Sequence, residues 1–230
     1  MESLKGKTAL ITGAGKGIGR DVALGLAKEG VKLGLLATST AQLIDIESEL
    51  KSLGVSVSIV TADVTDIHSV ILAVEKLEEE VGTIDILINS EDTTTGGPFL
   101  EFDPVMWENN MKMNLLGFYY LTQAVMPSMV LKSTGDIISI SSKSDRRSNN
   151  QETSSYNLPE SLMDEVMTNN IRYKVFTADD IKEFTLSSTE GVVERQPADK
   201  ADFAGYLISQ LKHYGGLNLQ DPIMITSNPS

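Results

Sequence analysis

The sequence predicts a doubly wound α/β domain, a parallel sheet with helices on both faces. Three observations carry this. Strand-like and helix-like segments alternate along the first two-thirds of the chain. The strand-like segments are short and nearly all apolar, as strands buried on both faces must be. A glycine-rich stretch follows the first of them and opens a helix. The 230 residues suffice for one such domain with a full core. No linker splits the chain, so 1–230 reads as a single domain.

The elements follow in order. Lys7–Thr12 (KTALIT) is a short apolar strand, and Gly17–Glu29 carries helical spacing in Ile18, Val22, Leu26 and Ala27. Lys32–Ala37 is a second strand and Ala41–Leu53 a second helix. Val55–Thr61 alternates and is rich in β-branched residues, which suits a strand. Ile67–Val81 is amphipathic, Ile84–Asn89 is a fourth strand, and one long helix is expected over Pro104–Leu131. Asp136–Ser141 is the fifth strand. Crossovers in such a chain are right-handed, and ligands bind at the carboxyl ends of the strands.

The texture changes after Ser142. Residues 1–142 are regular and 143–230 are divergent. The stretch 143–155 is polar and charged and reads as a loop. Helical signal returns weakly from Tyr156, a strand is expected at Ile171–Phe176, and Lys200–Lys212 looks helical. Pro222–Thr226 suits an edge strand, where a leading proline is tolerated.

Composition narrows the chemistry. With 32 acidic against 19 basic residues the net charge is −13, a field that repels nucleic acid and anionic membrane. There are no cysteines, which excludes disulfides, thiolate nucleophiles and cysteine-based zinc sites. The two histidines, His68 and His213, stand far apart in sequence, so no metal site is expected. No apolar run reaches the ~18 residues of a spanning helix, and Met1–Lys7 lacks a secretory signal. The expected setting is cytoplasmic, with no membrane or nucleic-acid partner.

Residues 12–19 read TGAGKGIG. Glycines let a backbone approach a pyrophosphate closely, and a helix N-terminus offers free N–H groups and positive potential. The spacing is T-G-x3-G-x-G, through Thr12, Gly13, Gly17 and Gly19, because Ile18 stands where the commoner G-x-G-x-x-G needs glycine. The same glycines also suit a tight turn that merely packs closely; position and spacing together favour a dinucleotide. Gly15, Lys16 and Ile18 lie within that turn. Folds of this kind often place an acid at the end of the second strand to hold the ribose 2′-OH. Here that place reads Ala37-Thr38-Ser39. With no carboxylate near Thr38 and with Lys16 inside the turn, NADP(H) is favoured over NAD(H).

The T-G-x3-G-x-G pattern on a first βα turn resembles the short-chain dehydrogenase/reductase family, whose fold is of the Rossmann type. Other residues agree. Asp63-Val64 is similar to the family's adenine-contacting acid and its neighbour. Asn89 begins the segment where the family has N-N-A-G. Trp107 and Asn114, in WENNMKMNLLG, match the family's helix. Ser142, after DIISIS, and Tyr156 fall at the catalytic serine and tyrosine. Within the family the chain looks most like 3-oxoacyl-acyl-carrier-protein reductases. The resemblance implies hydride transfer between a nicotinamide and a carbonyl or alcohol. Ser142 would orient the substrate oxygen, Tyr156 would move the proton, and Asn114 would support a relay. It also implies a small-molecule substrate and a homo-oligomer, a dimer or tetramer.

The sequence departs from that pattern after Tyr156. The family's lysine, one helical turn on, is Glu160 here. A lysine about 5 Å from the phenol favours its ionised form by about 3 kcal/mol at an effective dielectric of ~20. An ionised Glu160 reverses that sign, and reduction suffers less than oxidation, because a neutral tyrosine still donates. Pro159 is acceptable only in a first helical turn. From Tyr156 to Asn170-Ile171-Arg172, similar to the family's N-I-R before its sixth strand, the chain is short by about eight residues. At 1.5 Å per residue that is ~12 Å of helix, in an element the family uses for dimerisation. Glu91-Asp92 replace small residues beside the expected cofactor path. Two functions stay open at this point. One is an impaired oxidoreductase, and the other is a non-catalytic protein of the same fold that binds a nucleotide or a protein partner.

Overall fold

The computed structural model describes residues 3–90, 103–141, 168–177 and 200–213. Ser142, Lys143, Tyr156, Pro159, Glu160, Glu91 and Asp92 lie outside the described residues. So do the expected loop 143–155 and the expected strand Pro222–Thr226.

The described strands are β1 (Thr8–Thr12), β2 (Lys32–Ala37), β3 (Val57–Thr61), β4 (Ile86–Asn89), β5 (Gly135–Ser141) and β6 (Ile171–Thr177). They form one sheet in the order β3-β2-β1-β4-β5-β6, all parallel. This is the doubly wound order, with its switch point between β1 and β4. The helices are α1 (Gly17–Lys28), α2 (Thr40–Ser52), α3 (Ile67–Val81), α4 (Pro104–Met111), α5 (Phe118–Lys132) and α6 (Lys200–His213).

The apolar strands explain themselves by face. Ala9, Ile11, Leu33, Leu35, Ile86, Ile88, Ile138 and Ile140 share one core with α1, α2 and α6. Leu10, Leu36, Leu87 and Ile137 share the other with α3 and α5. Side chains alternate across a strand, so a strand covered on both sides is mostly apolar on both faces. All five residues of β1 are buried. On the first side α6 sits directly on α1, where Gly25 leaves room for Ile208.

One expectation needs correction. The long helix over Pro104–Leu131 is three pieces, α4, a π-helical turn at Lys112–Gly117, and α5. The wider turn holds an extra residue and resets the phase of the side chains. Accordingly α4 buries nothing, with Val105, Met106 and Trp107 exposed. Beyond the turn, α5 buries Phe118, Leu121, Thr122, Val125, Met126 and Met129. The turn is pinned at Gly117, where a Cβ would lie 2.9 Å from Val64 Cγ2. Across its start, Lys112 Nζ stands 2.7 Å from Glu108 Oε1 and holds that carboxyl below the usual range, first through the hydrogen bond and then through its charge.

The strand expected at Ile171–Phe176 is β6, and Ile171 and Arg172 of the N-I-R stretch open it. Asn170 has φ 58 and donates from Nδ2 to the Ser133 carbonyl at 3.3 Å, which closes the entry to the strand. Arg172 forks onto Asp136 of β5, with Nη2 to Oδ2 at 2.7 Å. Nearby, Asp85 accepts from the Thr8 N–H at 2.9 Å and from Lys132 Nζ at 2.7 Å. These charges stitch the amino edge of the sheet, opposite the ligand edge.

Candidate functional site

The carboxyl edge of the sheet gathers most of the residues singled out by sequence. Register aligns Thr12 with Leu36, Ala37 with Thr61, and Asn89 with Ser139. The turns after β1, β2, β3 and β4 therefore open on one edge. They carry Gly13–Gly19, Thr38, Asp63-Val64 and Ser90.

The turn after β1 is shaped by its glycines. Gly13 and Gly17 both have φ 60, the left-handed region that side chains disfavour. Gly19 is needed for a different reason. A Cβ there would lie 2.6 Å from the Gly13 carbonyl oxygen and 3.1 Å from that of Thr12. The first turn of α1 thus rests against the backbone that leaves β1. Lys16 is the N-cap residue and is extended, with φ −157 and ψ 168; no side chain caps this helix and no acid stands in its first turn. Helices α2, α3 and α4 are capped by Ser39, Asp66 and Asp103. Only α1 among these four presents an uncapped, unneutralised N-terminus, and it does so beside a glycine cradle. That arrangement fits the pyrophosphate of a dinucleotide. Ile18 is partly buried and packs on the core, while Lys16 is exposed.

Thr12 and Asn89 form the floor. The Thr12 hydroxyl donates to Asn89 Oδ1 at 2.9 Å and accepts from the Ser90 N–H at 3.1 Å. The two side chains are 0% and 1% exposed, so they tie the ends of β1 and β4 together. Asn89 Nδ2 and, on the neighbouring strand, Ser139 Oγ are buried and find no hydrogen-bond partner among the described residues. Thr12→Val keeps the shape and removes both bonds. It is expected to cost about 1–3 kcal/mol, read as a lower urea midpoint with an unchanged slope.

Asp63 sits on this edge, in the turn after β3. Its Oδ1 accepts from the N–H and the hydroxyl of Thr65, both at 2.8 Å, and the residue is exposed. Val64 is 2% exposed and packs on Gly117, so its side chain couples this loop to the π turn. Asn114 lies inside that turn, partly buried. Ser142 and Tyr156 are outside the described residues, and β5 ends at Ser141. The Ser142–Tyr156–Asn114 constellation therefore has one placed member. Among the described residues no cluster of metal-ligating side chains occurs, and no helix is long and apolar enough to cross a membrane.

The family model described as short chain dehydrogenase matches residues 7–157. The chain belongs to the short-chain dehydrogenase family. The family match takes in the glycine turn, Asp63, Asn89, Asn114, Ser142 and Tyr156, and closes before Pro159 and Glu160. An uncharacterised oxidoreductase of Staphylococcus saprophyticus is 39% identical over 145 residues, 62% of this chain and 61% of that one. Gluconate 5-dehydrogenase of Gluconobacter oxydans is 36% identical over 140 residues, 61% of this chain and 55% of its own. The chain thus spans under two-thirds of the length of these curated relatives. A metagenomic short-chain oxidoreductase solved with NADP superposes with a TM-score of 0.74 at 22% identity, covering 96% of each chain, and shares the fold.

Two features of the site carry little signal in the sequence. The π turn gave no signal, because NLLG reads as ordinary apolar helix. The close packing of Gln42 of α2 on Gly15 had a faint one: a glycine at a position where the T-G-x3-G-x-G pattern accepts any residue.

Proposed function

We propose that the chain is an NAD(P)H-dependent oxidoreductase that reduces a small carbonyl compound and favours NADP(H). The observation that carries this is the uncapped N-terminus of α1 over a glycine cradle that a single Cβ would fill. When bound, the nicotinamide supplies the hydride. The chain's own residues do the rest. Gly13, Gly15, Gly17 and Gly19 bring main chain to the pyrophosphate, with Thr12 and Asn89 holding the floor. Lys16 and Thr38 face the ribose end, where no carboxylate opposes a 2′-phosphate. Asp63 takes the adenine. Ser142 orients the carbonyl, Tyr156 donates the proton, and Asn114 supports the relay. We place the protein in the cytoplasm as a homo-oligomer.

Two substrate classes are in play: a 3-oxoacyl thioester, from the resemblance, and a keto sugar acid, from the gluconate 5-dehydrogenase relative. Turnover is expected to be slow, because Glu160 opposes ionisation of Tyr156 where the family has a lysine. Nicotinamide fluorescence should report NADPH binding, and loss of nicotinamide absorbance should report reduction of acetoacetyl thioester or 5-ketogluconate. Glu160→Lys should raise the rate at least tenfold. Binding without turnover in both proteins supports the second reading, a non-catalytic nucleotide binder, which Glu160 and Pro159 favour. Absence of binding defeats both readings.

A further inference from the structure

The ribose end of the cradle has no acid at the end of β2, yet a dinucleotide site needs some group there to hold the ribose hydroxyls. The fold brings one from α2. Gln42 stands in the first turn of that helix, with its N–H 3.5 Å from the capping Ser39 hydroxyl. A Cβ at Gly15 would lie 2.7 Å from Gln42 Cβ and 2.9 Å from its Oε1. The side chain, from stem to amide, is therefore laid along the phosphate turn. Gly15 does not have the positive φ of Gly13 and Gly17. Its lack of a side chain is explained by the room that Gln42 takes.

Neighbouring polar groups are already engaged. Arg20 is held by Asp45 and Glu49. Thr40 and Thr61 share a hydrogen bond at 3.0 Å. The Ser39 hydroxyl caps α2. Gln42, Thr38 and Lys16 remain exposed at this end of the edge. An amide both donates and accepts, as a ribose hydroxyl does, and it carries no charge to repel a phosphate.

We infer that Gln42 is the adenosine-ribose contact of the dinucleotide site and a determinant of cofactor choice. Its amide bonds the ribose hydroxyls where a carboxylate would otherwise stand, and it leaves the 2′ position open to phosphate. This inference rests on the dinucleotide reading above. The test compares wild type, Gln42→Ala and Gln42→Glu by fluorescence titration with NADPH and with NADH, and by Tm without cofactor. Gln42→Ala should weaken both cofactors by about 3–10-fold, the loss of one or two hydrogen bonds. Gln42→Glu should weaken NADPH at least tenfold more than NADH, reversing the preference. If both variants keep the wild-type affinities and their ratio, Gln42 only packs against Gly15 and the inference fails, while the dinucleotide reading stands. If wild type binds neither cofactor, the dinucleotide reading fails and takes this one with it.

Discussion

Gly19→Ala is expected to abolish dinucleotide binding and lower Tm by several degrees. The added Cβ meets only main chain: the Gly13 carbonyl oxygen at 2.6 Å, its carbon at 3.0 Å and the Thr12 oxygen at 3.1 Å. No flexible side-chain end can give way. Relief requires α1 to move off the end of β1, which shifts the N–H groups at the helix N-terminus together with the cradle. Overpacking of this kind costs about 1–3 kcal/mol, roughly 2–4 °C of Tm for each kcal/mol in a domain of this size. Affinity should fall at least a hundredfold, because donors moved by about 1 Å no longer converge on one anion. Gly205→Ala is the control. Among the described residues nothing lies within 4 Å of a Cβ there, and the residue is exposed on α6. The same chemical change should stabilise by up to about 1 kcal/mol through helix propensity and leave binding intact. Calorimetric titration with NADPH and thermal melts of the two variants check both halves.

Asp136→Ala is expected to destabilise the described sheet strongly. Asp136 and Arg172 have side-chain exposures of 7% and 24% and join β5 to β6 at the edge away from the cofactor. Removing the acid takes away the fork that Arg172 makes on β5, a loss of about 3–5 kcal/mol where such a pair is buried. Arg172 is the more exposed partner, so the lower end of that range applies, a Tm drop of about 6–12 °C. The double variant Asp136→Ala/Arg172→Met should recover part of the loss, since the charge needing compensation is gone. A double variant as unstable as Asp136→Ala would mean that the acid acts through other partners. Cofactor affinity should change little in either, because the pair lies at the opposite edge from the glycine cradle.

The sequence was most legible where a single periodicity ran uninterrupted. β1, β2, β4 and β5 show as largely apolar runs because a sheet covered on both faces favours apolar residues on each of them. The cradle shows because Gly13, Gly17 and Gly19 answer backbone constraints that leave no alternative residue. The single helix expected over Pro104–Leu131 breaks for a related reason. A π turn changes the hydrogen-bonding period without changing composition, so Lys112–Gly117 carries no local mark. The roles of Thr12 and Asn89 were half legible. Their identities pointed to the site, but their burial against each other turns them from ligand contacts into the tie between two strand ends.

By itself the sequence determined the doubly wound sheet, the place of the ligand edge and the glycines that shape it, because these follow from local pattern and backbone sterics. Only the tertiary structure decided which polar groups meet across that edge. Gln42 against Gly15, Thr12 against Asn89 and Arg172 against Asp136 are 27, 77 and 36 residues apart in the chain. Contacts at such separations are set by how helices and strands pack, and no short window of sequence encodes them.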